Sequence, residues 1–251
     1  MAESERRPEA EAPVALVTGG AVRLGRAIAL ALAGAGYDLL IHYRSSAESA
    51  RRLQAEIEAL GRRAALYAAD LQNADEAASV VPAALDALGR LDVLVNNAAI
   101  YLEGALAETT LATWEDQFAL NLRAPFQLSQ AFAVALPEDR EGVIVNITDA
   151  RIFRPGVDHF AYRLTKSALL TMTENMALAL APRVRVNAVA LGAILPPPGE
   201  DEAYLETVAR ERVPLRRPGS ADAVAESVLY LVRQEFLTGT VVRIDGGEFL
   251  T

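Results

Sequence analysis

The chain has 251 residues, 52% of them hydrophobic and 23% charged, a composition that supplies a buried core and excludes a disordered protein. Its formal net charge of −9 opposes nucleic acid and anionic lipid surfaces, so an anionic ligand has to be caught by local amides and a few arginines. With no cysteine and two histidines, disulfides and thiolate metal sites are excluded and a zinc site is not expected.

Residues 1–12, rich in Glu, Ala, Arg and Pro, lack the apolar run of a secretory signal and read as a flexible, solvated tail. Residues 13–251 read as one large domain. Short aliphatic runs follow at Val14–Val17, Leu39–Tyr43, Ala64–Ala68, Leu91–Val95, Val143–Ile147, Val184–Val189 and Val241–Ile244. Near-continuous apolar character is what strands covered on both faces require, and the longer Ala/Leu-rich segments between them have helical spacing. Right-handed crossovers then give a single doubly wound α/β Rossmann domain, with a parallel seven-stranded sheet, helices on both faces and ligands at the carboxyl ends of the strands. The stretch from about 195 to 218 breaks this rhythm with a proline triplet and a helical run over Asp201–Glu211, and is expected to be a mobile flap. Ala27–Ile41, the longest nearly apolar run, contains Gly34, Gly36 and Asp38 and is too short to span a membrane. A soluble, cytoplasmic protein is expected.

The first strand runs into Thr18-Gly19-Gly20-Ala21-Val22-Arg23-Leu24-Gly25, and a helix is predicted over Arg26–Ala35. A tight turn from strand to helix leaves backbone N–H groups and the positive end of the helix dipole facing one point, which suits a pyrophosphate. Gly19 permits the turn and Gly25 lets helix and strand approach closely. This stretch resembles the short-chain dehydrogenase/reductase fingerprint of Thr-Gly, three residues, Gly, one residue, Gly. It departs at Arg23, which stands where the middle glycine is usual, and there it is similar to the pteridine reductases and dihydromonapterin reductases. In that subgroup the arginine lies beside the cofactor phosphates and the substrate; the alternative is a surface arginine opposing the helix dipole.

An NAD-preferring fold of this kind places Asp or Glu about 20 residues beyond the glycines. Here the place reads Ile41-His42-Tyr43-Arg44-Ser45-Ser46, with no carboxylate. A guanidinium and two hydroxyls can instead bond a 2′-phosphate, so NADPH is the expected cofactor, unless this is a plain polar loop. The resemblance further implies an adenine contact at Asp70 and Leu71. It also implies a nicotinamide border at Asn97 and Ala98, and a nicotinamide clamp at Gly192, where Leu191 replaces the usual proline.

Tyr162-Arg163-Leu164-Thr165-Lys166 matches the family's Tyr, three residues, Lys motif. A separation of four puts both side chains on one helix face. A free phenol titrates near 10, so a neighbouring ammonium at Lys166 is expected to favour the phenolate of Tyr162. By resemblance, Tyr162 protonates the acceptor atom and Lys166 also holds the nicotinamide ribose. Asn121 matches the family asparagine that kinks its helix, and Pro125 removes that residue's helical partner. Asp149 stands where a serine is usual. Pteridine reductases resemble this chain there, and a carboxyl can relay protons and bond an amino-pyrimidine edge; a turn aspartate beside Thr148 is the alternative. Tyr101 occupies the place of an aromatic that sandwiches the planar substrate against the nicotinamide in that subgroup, or is simple packing.

The resemblance runs from about Val14 to Asp245-Gly246-Gly247. It implies a homotetramer built on long helices at about Leu111–Leu136 and His159–Ala181. The expected substrate is a small pterin-like molecule such as dihydromonapterin, dihydrobiopterin or dihydrofolate. A general carbonyl or 3-oxoacyl reductase and a non-catalytic dinucleotide sensor are the alternatives.

Overall fold

The computed structural model describes residues 12–197 and 199–251. The tail expected over residues 1–12 thus lies, except for Ala12, outside the described residues, as does Pro198. Seven parallel strands form one sheet: β1 Val14–Val17, β2 Asp38–Tyr43, β3 Ala64–Ala68, β4 Val93–Asn96, β5 Gly142–Asp149, β6 Val184–Leu191 and β7 Val241–Ile244. Their order is β3-β2-β1-β4-β5-β6-β7, so the winding reverses between β1 and β4, the switch point at whose carboxyl edge ligands collect in folds of this kind.

Alternate residues of the strands feed two cores, one on each face. Ala15 and Val17 of β1 join one cluster with α1 (Arg23–Gly34), α2 (Ala47–Ala59) and α8 (Ala221–Arg233). Val14 and Leu16 join the other, with α3 (Ala74–Leu88), α5 (Ala124–Ala135) and α6 (Phe160–Leu180). This is the single Rossmann-like α/β domain expected, and burial of both faces explains why its strands read as unbroken apolar runs.

Several boundaries moved. β5 and β6 extend to Asp149 and Leu191, because their pairing continues through Thr148↔Ala190 and Asp149↔Leu191 even though the residues turn polar. Helix α1 starts at Arg23 rather than Arg26. The long helix expected over Leu111–Leu136 is three pieces: α4 (Leu111–Phe118), a π turn (Ala119–Arg123) and α5. Pro125 in the first turn of α5 carries no N–H, which helps to explain why the hydrogen-bond ladder changes register there. The region expected to be a flap contains α7 (Glu202–Arg212), which Asp201 caps through a bond from the Tyr204 amide, and which buries Leu205 and Ala209. Among the described residues no helix is long and apolar enough to cross a membrane.

Candidate active site

At the carboxyl end of β1 the turn is fixed by side chains from two neighbouring strands. The Thr18 hydroxyl accepts the amides of Asn97 and Ala98 at 2.9 and 3.0 Å, and the Asn97 amide group donates to the Thr18 carbonyl at 2.8 Å. Gly19 adopts φ +60°, a left-handed conformation that only glycine takes without cost. Gly25 packs so closely that a side chain there would begin 2.1 Å from the Gly19 carbonyl oxygen. Helix α1 is entered from Val22 with no side-chain cap and no acidic residue in its first turn, so its end amides are left for an anion.

His42 has a different place from the one its position in the loop suggested. It is buried, its Nδ1 accepts the Gly19 amide at 3.1 Å, and its Nε2 lies 3.0 Å from the Ala69 carbonyl. Burial lowers its pKa, which keeps the ring neutral and able to accept. It braces the turn, while Tyr43, Arg44, Ser45 and Ser46 line the outer edge. Arg44 donates to Gln72 at 3.3 Å, and Gln72 in turn donates its amide to Asp70. Leu71 is buried between them, and Leu24 is buried under the turn. Arg23, held at φ +51°, reaches across to the Pro196 carbonyl at 2.5 Å. The Gly192 amide, just past β6, donates to the Ile244 carbonyl of β7. The uncapped helix end, the volume-excluding Gly25 and a loop with Arg44 and no carboxylate together fit a phosphorylated dinucleotide.

The chemistry-bearing residues meet at the end of β5, two strands from β1. Tyr162 Oη donates to Asp149 Oδ2 at 3.0 Å, and the Arg151 amide donates to Asp149 Oδ1 at 2.7 Å. Lys166 Nζ donates to the Ile147 carbonyl at 2.9 Å and lies 5.8 Å from the centre of the Tyr162 ring. Thr148, the alternative to Asp149 in the place of the usual serine, is buried and donates to the Lys166 carbonyl at 3.1 Å. Asn121, in the π turn and fully buried, exchanges two hydrogen bonds with the Ile100 backbone, both 2.9 Å, and donates to Thr165 at 3.3 Å.

The expected acidic phenol is not what this arrangement produces. Burial, then the Asp149 charge and its hydrogen bond, hold Tyr162 well above the usual phenol value. Burial also pulls Lys166 down from 10.5 to about 8, with Asp149 opposing. Burial and the Asp149 carboxylate both favour the neutral phenol, the Arg151 charge opposes them only in part, and the Lys166 ammonium is turned to the Ile147 carbonyl. The hydroxyl is therefore held in its protonated form.

Tyr101 stacks on His159, ring centres 4.1 Å apart and planes at 14°, and meets Tyr162 edge-on at 4.7 Å. Arg151 donates to its hydroxyl. Arg151 also lies 3.6 Å from Asp158, which pairs with Arg163 at 2.7 Å and approaches His159 at 3.3 Å. These ionic contacts draw the Asp158 carboxyl down to about 2 against the effect of burial. Arg151, Asp158, His159 and the buried Glu248 were not singled out in the sequence. Arg151 could have been, since it sits two residues past the carboxyl edge of a strand; His159 is joined to Tyr101 only by folding.

The chain matches the family described as enoyl-(acyl carrier protein) reductase over residues 20–248. It is 35% identical to the granaticin polyketide synthase putative ketoacyl reductase 2 of Streptomyces violaceoruber, over 96% of this chain and 97% of that one. It is 34% identical to a 3-oxoacyl-[acyl-carrier-protein] reductase of Synechocystis, over 94% and 96% of the two chains. Among solved structures, FolM alternative dihydrofolate reductase 1 from Brucella canis, complexed with NADP, superposes with a TM-score of 0.89 at 35% identity over 95% of each chain. The relatives thus carry both dihydrofolate reductase and ketoacyl reductase names, and the narrower subgroup suggested by Arg23 and Asp149 does not follow from similarity alone. With matches over nearly its whole length, the chain belongs to the short-chain dehydrogenase/reductase family of oxidoreductases.

Proposed function

We propose that this chain is an NADPH-dependent reductase of a pterin-type substrate, a dihydropterin such as dihydromonapterin or dihydrobiopterin, or dihydrofolate. The observation that carries the reading is the 3.0 Å bond from Tyr162 to Asp149, a carboxylate where a hydroxyl is usual in the family. Support also comes from Arg23 beside the glycine turn, from Tyr101 in the site, and from the likeness to a FolM dihydrofolate reductase.

In this reading the turn from Gly19 to Gly25 and the end of α1 hold the diphosphate, with Arg23 and Leu24. Tyr43, Arg44, Ser45 and Ser46 form the 2′-phosphate side, with His42 bracing the turn from behind, Asp70 and Leu71 the adenine side, and Asn97, Ala98 and Gly192 the nicotinamide side. The cofactor, when bound, supplies the hydride. Tyr162 gives its proton to the reduced atom, Asp149 orients that hydroxyl, and the charge left on the phenolate is balanced by Lys166. Asn121 fixes the loop carrying Tyr101 through Ile100. Tyr101 and Arg23 border the substrate.

A second reading, a general 3-oxoacyl or carbonyl reductase, is favoured by the names of the sequence relatives. NADPH oxidation measured with a panel of dihydropterins and 3-oxoacyl thioesters separates the two. Pterin turnover supports the first; thioester turnover without any pterin turnover overturns it. Arg44→Ala should narrow the preference for NADPH over NADH by about tenfold or more, measured as the ratio of kcat/KM values, from loss of charge-assisted phosphate bonds.

A further inference from the structure

Asp149 was expected to meet the amino-pyrimidine edge of a substrate, but each of its oxygens already carries a hydrogen bond, from Tyr162 and from the Arg151 amide. A second carboxyl lies close by. Glu248 opens a 3-10 turn, Glu248–Leu250, just beyond β7, and the residue is only 7% exposed. Its carboxyl makes no hydrogen bond or ion pair among the described residues. Neither oxygen is among the fully buried unpartnered atoms of the described residues, so the carboxyl reaches accessible space and is open to a donor from outside the chain.

Its position follows from the sheet. Leu191 pairs with Asp149 on one side and with Ile244 on the other. The next residue is Gly192, and Glu248 Oε2 lies 3.0 Å from where a side chain at Gly192 would begin. The carboxyl is therefore at the same strand edge as Asp149, beside the expected nicotinamide clamp. The turn holding it is rigid: both Asp245 oxygens accept turn amides, from Gly247 at 2.9 Å and Phe249 at 3.2 Å. Phe249 meets Phe153 edge-on at 5.7 Å, and the Arg243 guanidinium covers both rings. Phe153 closes the short turn that contains Arg151, so the two turns are pinned to each other. Arg151 and Glu248 influence one another's charge without forming an ion pair. Burial raises the Glu248 pKa and Arg151 draws it back.

Resting on the pterin reading, we propose that Glu248 is a substrate-recognition residue whose carboxylate accepts adjacent N–H groups of an amino-substituted nitrogen heterocycle, with the Arg151 guanidinium donating to the neighbouring ring carbonyl. A carboxylate has two acceptor oxygens in one plane and matches such an edge in a bidentate way, which a ring bearing a second carbonyl in place of the amino group cannot satisfy.

The test uses the whole protein saturated with NADP+, titrated calorimetrically with pterin (2-amino-4-oxopteridine) and with lumazine, its 2,4-dioxo counterpart. Pterin should bind the wild type at least about tenfold more tightly than lumazine. Glu248→Gln, which keeps the shape and offers one donor and one acceptor, should reduce that ratio to about one. Thermal melting and NADP+ affinity establish that the variant is folded; Glu248→Asp, which keeps the carboxylate, should retain a preference for pterin. A wild type that binds both ligands equally, or neither, overturns the proposal, as does a Glu248→Gln variant with an undiminished ratio. If the wild type reduces dihydropterins and the variant still discriminates, only the role of Glu248 fails; if dihydropterins are never reduced, the pterin reading fails with it.

Discussion

Tyr162 and Lys166 are one helical turn apart, yet their hydrogens go to different partners, a carboxylate and a backbone carbonyl. Tyr162→Phe removes the proposed proton donor and the hydrogen bond to Asp149 while keeping the ring that packs on Tyr101. Turnover should fall by at least about 100-fold, with cofactor affinity measured by fluorescence nearly unchanged. Lys166 has the opposite balance. Its folded pKa of about 8 lies below the ordinary 10.5, so the folded state holds its proton less tightly than the unfolded chain does. That destabilisation is fully present below about pH 8 and fades as pH rises toward 10.5. Lys166→Met should therefore stabilise the fold at pH 7 by about 2 kcal/mol, after allowing for the Ile147 carbonyl left without its donor. Thermal melts across pH 6 to 10, on the order of unit steps, should show this gain shrinking on the alkaline side, with turnover lost throughout.

The element that the site depends on most is the turn from β1 into α1. Its shape comes from exclusion of volume: no side chain fits at Gly25 against the Gly19 carbonyl, and the obstacle is backbone, which cannot swing aside as a flexible side chain would. Gly25→Ala should lower NADPH affinity by about tenfold or more and destabilise the fold by about 1–3 kcal/mol, checked by fluorescence titration and by melting. The π turn at Ala119–Arg123 acts similarly in the other core. By widening the helix it buries Asn121 where its amide can clamp Ile100, one residue before Tyr101.

For the whole molecule, the parallel sheet gathers residues from Thr18 to Glu248 at one edge, and the opposite need is to cover apolar surface elsewhere. A groove of about 1450 Å³ runs along α4, α5 and α6, lined by Trp114, Phe118, Phe126, Val134, Met172 and Met176. Val134 is 82% exposed and Leu178 is 83% exposed on these helices. The homotetramer implied by the family resemblance would cover this face. Sedimentation equilibrium should give the mass of four chains, and Val134→Glu combined with Phe126→Glu should shift it to a smaller species, since a charge buried in an apolar interface is left unpaired.

The amino-acid sequence by itself determined the seven strands, because burial on both faces writes continuous apolar runs, and it marked the glycine turn, Tyr162 and Lys166, because those depend on local spacing. Tertiary structure decided what each group is bonded to. The phenol's proton affinity is set by burial against Asp149, His42 is turned inward to brace Gly19, and Glu248 is set beside Gly192 by the pairing of β6 with β7. Such outcomes rest on contacts between residues far apart in the chain and on the loss of solvent around them, and neither leaves a periodic trace in the order of the amino acids.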